Sequence, residues 1–232
     1  MSTERKGAAF FDVDETLIDV KSMFSFLRFH LRRRGEAEGA YEAAAGALHS
    51  AAARGANRQS VNRAYYRLFA GEDAGALAAA GEEWFAQELQ RGLFVPEIMA
   101  ELLVHRAAGD FVVLVSGSFF ACLDPIAAHV GADWAFGTRP VVRDGKLTGE
   151  VVTPMIGAAK GRVASATAAV RGLDLAASSA YGDHISDLDL LRTVGRPVVV
   201  GDDPLLAAHA ETYGWRRLTS RHAVAHAEKV GS

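Results

Sequence analysis

Hydrophobic and polar positions change their period twice along this chain, and those changes divide it. A short apolar run, Gly7-Ala8-Ala9-Phe10-Phe11, has the length and uninterrupted character of a buried strand and stops at two carboxylates, Asp12 and Asp14, followed by Glu15 and Thr16. From Met23 to about residue 107 apolar positions recur at helical spacing. The first stretch, 23–31, follows Ser22 as candidate N-cap; the next are 36–53, 60–69, 74–89 and 96–107, with breaks at Gly55-Ala56-Asn57, Gly71-Glu72-Asp73 and Arg91-Gly92. Strand-length runs and helical stretches then alternate. Residues 111–115 end at Ser116-Gly117-Ser118 ahead of a helix through His129, and 134–136 form another short strand. Residues 140–151 place Asp144-Gly145 between β-prone runs, a hairpin expected to project from the core. Lys160 opens a helix to about Arg171, 178–182 run into the acidic turn Asp183-His184-Ile185-Ser186-Asp187, 197–200 form the last strand and 204–213 the last helix.

Parallel strands need crossover helices, so the alternation predicts an α/β chain with a doubly wound parallel sheet, interrupted early by a helical insertion. The expected division is a core of residues 1–17 and 104–232 around a predominantly helical cap at 18–103, the last helix of that block returning to the core. Ligands of open α/β sheets bind beyond the carboxyl ends of the strands. Asp12, Ser116 and Asp183 each follow a predicted strand, so one crevice is expected to collect them.

A chain of 232 residues can bury a core of this kind. Half of it is hydrophobic and its formal net charge is −3, which provides no basic field for nucleic acid or an anionic membrane and favours a small diffusible ligand. The polar first six residues and the lack of any apolar stretch of spanning length predict a cytoplasmic protein. The one cysteine, Cys122, cannot form an intramolecular disulfide and reads as a buried thiol.

Four motifs, in order, resemble the haloacid dehalogenase (HAD) superfamily of aspartate-nucleophile phosphohydrolases, in the branch similar to phosphoserine phosphatase (subfamily IB). They are Asp12-Val13-Asp14-Glu15-Thr16, Val115-Ser116-Gly117-Ser118, Lys160-Gly161-Arg162-Val163 and Tyr181-Gly182-Asp183-His184-Ile185-Ser186-Asp187-Leu188, with the hairpin at 144–149 as a fifth likeness. The resemblance implies a Rossmannoid core, a helical C1-type cap between the first two motifs, and a magnesium-dependent phosphatase of small phosphorylated metabolites. It further implies that Asp12 is the nucleophile, Asp14 the general acid and base, and Asp12, Asp183, Asp187 and the Asp14 carbonyl the metal ligands, Asp187 alternatively supporting them from behind. Lys160, Ser116 and Gly117, with Asp14, would surround the phosphoryl group. Dehalogenase members need no magnesium and usually lack the second aspartate, so Asp14 favours phosphoryl chemistry.

Plainer readings stand beside these. Ser116 and Asp187 are also candidate helix caps, Thr16 a turn-fixing residue, Lys160 a surface lysine, and His184 a structural or substrate-contacting departure from the small residue often found there. Substrate selection is expected from Lys21 and Ser22 and from Arg58, Asn62 and Tyr66, which recur at helical spacing; a solvated arginine face is the alternative for that helix. Phosphoserine phosphatases bring a glutamate near the position of Lys21, and the reversed charge favours an anionic or hydroxyl-rich substrate, such as a sugar, polyol or cyclitol phosphate. Phosphoserine hydrolysis, phosphoryl transfer to another acceptor, and binding of a phosphorylated ligand without turnover are the other readings.

Overall fold

A computed structural model describes residues 7–218; the polar first six residues and the stretch 219–232, both assigned above to the core, lie outside the described residues. In chain order the elements are β1 (Ala8–Phe11), α1 (Ser22–Arg33), α2 (Ala40–Ala53), α3 (Arg58–Arg67), α4 (Ala74–Gln90), α5 (Pro96–Ala108), β2 (Phe111–Val115), α6 (Phe120–Val130), β3 (Trp134–Phe136), β4 (Pro140–Arg143) and β5 (Lys146–Val151). They continue with α7 (Ala158–Arg171), β6 (Ser179–Gly182), a 3-10 turn (Ile185–Asp187), α8 (Leu188–Leu191), β7 (Arg196–Val200), α9 (Pro204–Tyr213) and β8 (Arg216–Leu218).

Six parallel strands form one sheet in the order β3-β2-β1-β6-β7-β8. The chain winds outward from β1 to β3, then crosses back to β6 on the other side of β1, so the reversal of strand order falls between β1 and β6. Both faces of the central strands are covered. Ala9 and Phe11 join Val112, Leu114, Tyr181, Val198 and Val200 in one core, while Ala8 and Phe10 join Val113, Val115, Ala180 and Val199 in the other. This two-sided burial is why these strands read as unbroken apolar runs. The short edge strand β8 begins with two exposed arginines and carried no such signal.

The insertion leaves and re-enters where two segments bond side by side. Asp19 N–H donates to the Leu93 carbonyl at 2.8 Å and Val95 N–H to that of Leu17 at 3.0 Å. α5 then packs on β1 and β2. The boundary expected at 103 therefore falls inside a helix of the sheet layer; helical periodicity reports a buried face, not which neighbour buries it. Nor is Ser22 a cap: Lys21 holds that position without a side-chain bond, and Ser22 is the buried first residue of α1.

The hairpin β4–β5 turns through Asp144 and Gly145, with φ of 50° and 77°, the left-handed pair that a two-residue turn needs. It does not project freely. Gly71 N–H donates to the Leu147 carbonyl (2.7 Å), Leu147 N–H to that of Glu72 (2.9 Å) and Ala74 N–H to that of Gly145 (2.8 Å), joining the hairpin to the loop between α3 and α4. Arg63 of α3 adds a bond to the Val151 carbonyl at 3.1 Å.

An aromatic cluster couples the insertion to the core. Phe119, just after β2, lies 5.6 Å from Phe26 of α1 and 5.3 Å from Tyr66 of α3, ring centre to ring centre. The free thiol of Cys122 is buried nearby. No helix among the described residues is long and apolar enough to cross a membrane. Close approach of α4 to α6 depends on Gly81, whose missing Cβ would run into the Ala121 carbonyl. Gly81→Ala should therefore lose about 1–3 kcal/mol in urea denaturation, against the ~1 kcal/mol that alanine normally adds to a helix; a more stable variant would contradict this packing.

Candidate active site

The site begins where β1 stops. Asp12 N–H continues the sheet by donating to the Tyr181 carbonyl at 2.9 Å, after which the Val13 carbonyl accepts from the N–H groups of Thr16, Leu17 and Ile18. Glu15 takes the left-handed conformation with φ of 60° inside this tight turn. The turn keeps Asp12 buried and Asp14 half-buried at the strand end, and Asp14 Oδ1 is enclosed without a hydrogen-bond partner. The residues after β2, β6 and the start of α7 surround them.

Lys160, in the first turn of α7, is 4% exposed and places Nζ 2.7 Å from Asp12 Oδ1 and 2.6 Å from Asp187 Oδ1. It is an internal cation, not a surface lysine. A buried ammonium with two charged partners is tolerable; either carboxylate left without it would be costly. The second oxygen of Asp187 accepts the His184 N–H at 3.2 Å, while His184 Nδ1 accepts the Ser186 N–H at 3.0 Å. Asp187 thus closes a capping box headed by His184, and does not cap α8 with its side chain. Thr16 donates its hydroxyl to Asp183 Oδ1 at 2.8 Å, holding one acid of the site in place.

Three carboxylates here resist ionisation. Burial raises Asp12, the Asp187 charge adds to this, and Lys160 opposes it. Burial lifts Asp14 to about 7 despite bonds from the Ser22 hydroxyl and N–H, with Asp12 pushing the same way. Asp183 is raised most, by burial and then by the charges of Asp12 and Asp187. Burial also works against the Lys160 ammonium, but Asp12 and Asp187 together outweigh it and hold its value above the usual lysine range. One lysine cannot neutralise this many acids. Oxygens of Asp12, Asp183 and Asp187 lie within 4.8 Å of one another; an all-oxygen, carboxylate-rich set of this size fits a hard divalent cation such as Mg²⁺.

Ser116 is buried after β2, its Oγ accepting the Ser118 N–H at 3.0 Å. Gly117 follows, with its carbonyl turned towards α3. There it accepts from Thr138 Oγ1 at 2.8 Å, Asn62 Nδ2 at 2.9 Å and the Tyr66 hydroxyl at 3.1 Å. Asn62 and Tyr66, expected from helical spacing to help select the substrate, are both buried, and their polar atoms bond the core loop. Ser22 is likewise engaged, its Oγ lying 2.9 Å from that of Ser118. Spacing identifies a shared helix face but not what that face meets.

Arg58, at the exposed start of α3, stands near enough to His184 to add to the effect of burial in lowering that imidazole's pKa. Lys21 is exposed and pairs with Glu15 at 3.2 Å. Thr138 was missed by the sequence reading. It lies two residues beyond β3, and the rule that located Ser116 after β2 would have reached it.

A family model described as haloacid dehalogenase-like hydrolase matches residues 9–192. A probable phosphatase of Mycobacterium tuberculosis is 31% identical over 237 residues, covering 97% of this chain and 79% of that protein. A phosphoserine phosphatase of the same organism is 29% identical over 90% of this chain and 69% of its own length. Among solved structures, a Bordetella pertussis Tohama I protein of unknown function superposes with a TM-score of 0.82 at 28% identity, covering 93% of this chain and 99% of that one.

The raised carboxylates set a pH dependence. Asp12, Asp14 and Asp183 keep protons in the folded chain at pH values where the unfolded chain, with carboxylates near 3.8, has released them. In chelator their contribution to stability is therefore full below that value and is lost as pH rises through the folded values, about 7 for Asp14. Metal binding requires ionised ligands, so stabilisation by magnesium should grow over the same range. Urea midpoints at pH 5 to 9, with chelator and with magnesium, should diverge as pH rises; parallel curves would contradict the raised values.

Proposed function

This chain belongs to the haloacid dehalogenase-like hydrolase family, and from that premise we propose that it is a magnesium-dependent phosphatase of small phosphomonoesters, working through an aspartyl-phosphate on Asp12. The observation that carries the reading is the pair of aspartates two residues apart in different surroundings. Asp12 is joined to Lys160, which favours the ionised form a nucleophile needs. Asp14 titrates near neutrality, with one oxygen enclosed and unpaired. Two carboxylates whose environments separate them in this way suit an acid and a nucleophile acting together.

In the first step an Asp12 oxygen attacks phosphorus, the bond from phosphorus to the ester oxygen breaks, and protonated Asp14 gives that oxygen its proton. In the second, ionised Asp14 takes a proton from water as the water attacks the aspartyl-phosphate, releasing inorganic phosphate and restoring Asp12. Lys160 opposes negative charge beside Asp12 throughout, and Ser116 donates its hydroxyl to a phosphoryl oxygen while the Gly117 backbone lines the same loop. Asp12, Asp183 and the Asp14 carbonyl would hold Mg²⁺, with Asp187 steadying Lys160 behind them. The bound ion supplies positive charge that lowers the repulsion between an anionic nucleophile and an anionic ester.

For the substrate, Lys21 and Arg58 are the exposed candidates, since Ser22, Asn62 and Tyr66 are buried and engaged elsewhere. Both are exposed cations, supporting an anionic or hydroxyl-rich remainder over phosphoserine, even though the similar Mycobacterium tuberculosis protein is named a phosphoserine phosphatase. Pairing with Glu15 offsets part of the Lys21 charge, which leaves Arg58 the larger share.

Release of inorganic phosphate from a panel of sugar, polyol and amino-acid phosphates, with magnesium and with chelator, tests this. Turnover should require magnesium, fall by roughly 10⁴ or more in Asp12→Asn and by about 10²–10⁴ in Asp14→Asn. Undiminished turnover in Asp12→Asn would rule out the aspartyl-phosphate route, and a clear preference for phosphoserine would reject the substrate class.

A further inference from the structure

The phosphate-binding loop after β2 is held from a side no motif describes. We propose that Asn62, Tyr66 and Thr138 are positioning residues, which fix the peptide between Gly117 and Ser118 and through it aim the Ser116 hydroxyl at the phosphoryl group. The proposal rests on the phosphatase reading above for its kinetic part and on geometry alone for the rest.

A carbonyl oxygen has two lone pairs, and three donors crowd that of Gly117 at 2.8 to 3.1 Å. All three side chains are buried, so any rotation of this peptide would leave several polar groups without partners or water. Thr138 is itself oriented, because its hydroxyl oxygen accepts the Met155 N–H at 3.0 Å and so turns its proton to Gly117. Tyr66 is kept a neutral phenol, and hence a donor, by burial.

The other end of the same peptide is the Ser118 N–H, which donates to Ser116 Oγ at 3.0 Å. That bond occupies a lone pair of Ser116 and leaves its own proton for another acceptor. Bonds in series polarise one another: donors on the carbonyl strengthen the N–H, which in turn makes the serine hydroxyl a better donor. Ser116 is further fixed by its N–H to the Phe136 carbonyl at 2.9 Å, and Ser118 by its carbonyl accepting the Thr138 N–H at 2.7 Å. Two of the three donors come from α3 of the insertion and one from beyond β3. The insertion therefore contributes to the chemistry through the loop, separately from any residue that selects the leaving group.

These residues would affect every phosphomonoester alike. In Tyr66→Phe, which removes only a hydroxyl, and in Asn62→Ala, kcat should fall roughly five- to tenfold with KM little changed, and the ranking of alkyl and aryl phosphates should be preserved. Thr138→Val should behave similarly, and Thr138→Ser should restore most of the rate. Amide hydrogen exchange of residues 116–119 in the unliganded full chain should speed up roughly five- to tenfold in Tyr66→Phe. A changed ranking at undiminished kcat would overturn the proposal in favour of substrate reading, and unchanged exchange would overturn it outright. Should the wild type hydrolyse nothing on the panel, the phosphatase reading fails while exchange still decides whether the loop is clamped.

Discussion

Crowding of negative charge at the carboxyl end of β1 is the constraint on which the rest of this structure depends. Asp12, Asp183 and Asp187 bring oxygens within 4.8 Å of one another in a region mostly closed to water. Such a cluster is tolerable only with cations, hydrogen-bond donors and bound protons arranged around it. Lys160 supplies the cation, Thr16 and the His184 N–H supply donors, and the raised carboxylates retain protons. A dianionic ester could join this site only with further positive charge, which is why an oxygen-ligated divalent ion fits both the protein and its chemistry.

The sheet topology makes the cluster possible. Strands β1 and β6 are adjacent at the point where the winding reverses, so their ends open into a crevice instead of being covered by a crossover helix. Lys160 reaches the same point from the first turn of α7, which precedes β6. Residues 148 positions apart in sequence become an ion pair of 2.7 Å, and the short loops at the strand ends set its geometry.

Over this crevice the helical insertion is anchored, by backbone bonds at its two crossings, by the hairpin, by the aromatic cluster around Phe119 and by α3 donors on the Gly117 carbonyl. These contacts have different physical characters. The aromatic cluster is non-directional and buries area, whereas the bonds on Gly117 require a particular orientation of one peptide. Part of the insertion's buried surface thus holds the loop after β2.

What the sequence determined by itself was the order of elements and the identity of the charged core. Apolar runs sandwiched between two helical layers announce themselves without long-range information, and a carboxylate or serine directly after such a run is placed at the sheet's carboxyl end by topology alone. Asp12, Ser116 and Asp183 were legible for that reason, and Lys160 through the motif it opens at the start of a helix. The three-residue edge strand β8, with two exposed arginines, was not, because an edge strand has no two-sided burial to record. The cap division expected at 103 lies within α5, whose return to the core was expected; where along such a helix a cap ends is not legible, because its 3.6-residue period is the same whether its apolar face meets a cap or a sheet. Only tertiary structure decided that Asn62 and Tyr66 face a backbone carbonyl, that Ser22 supports Asp14 and Ser118, and that Thr138 completes the loop. Apart from the Ser22–Asp14 contact, each is a polar side chain whose partner lies tens of residues away in sequence, and hydrogen-bond geometry, unlike hydrophobic period, leaves no trace in the local pattern of the chain.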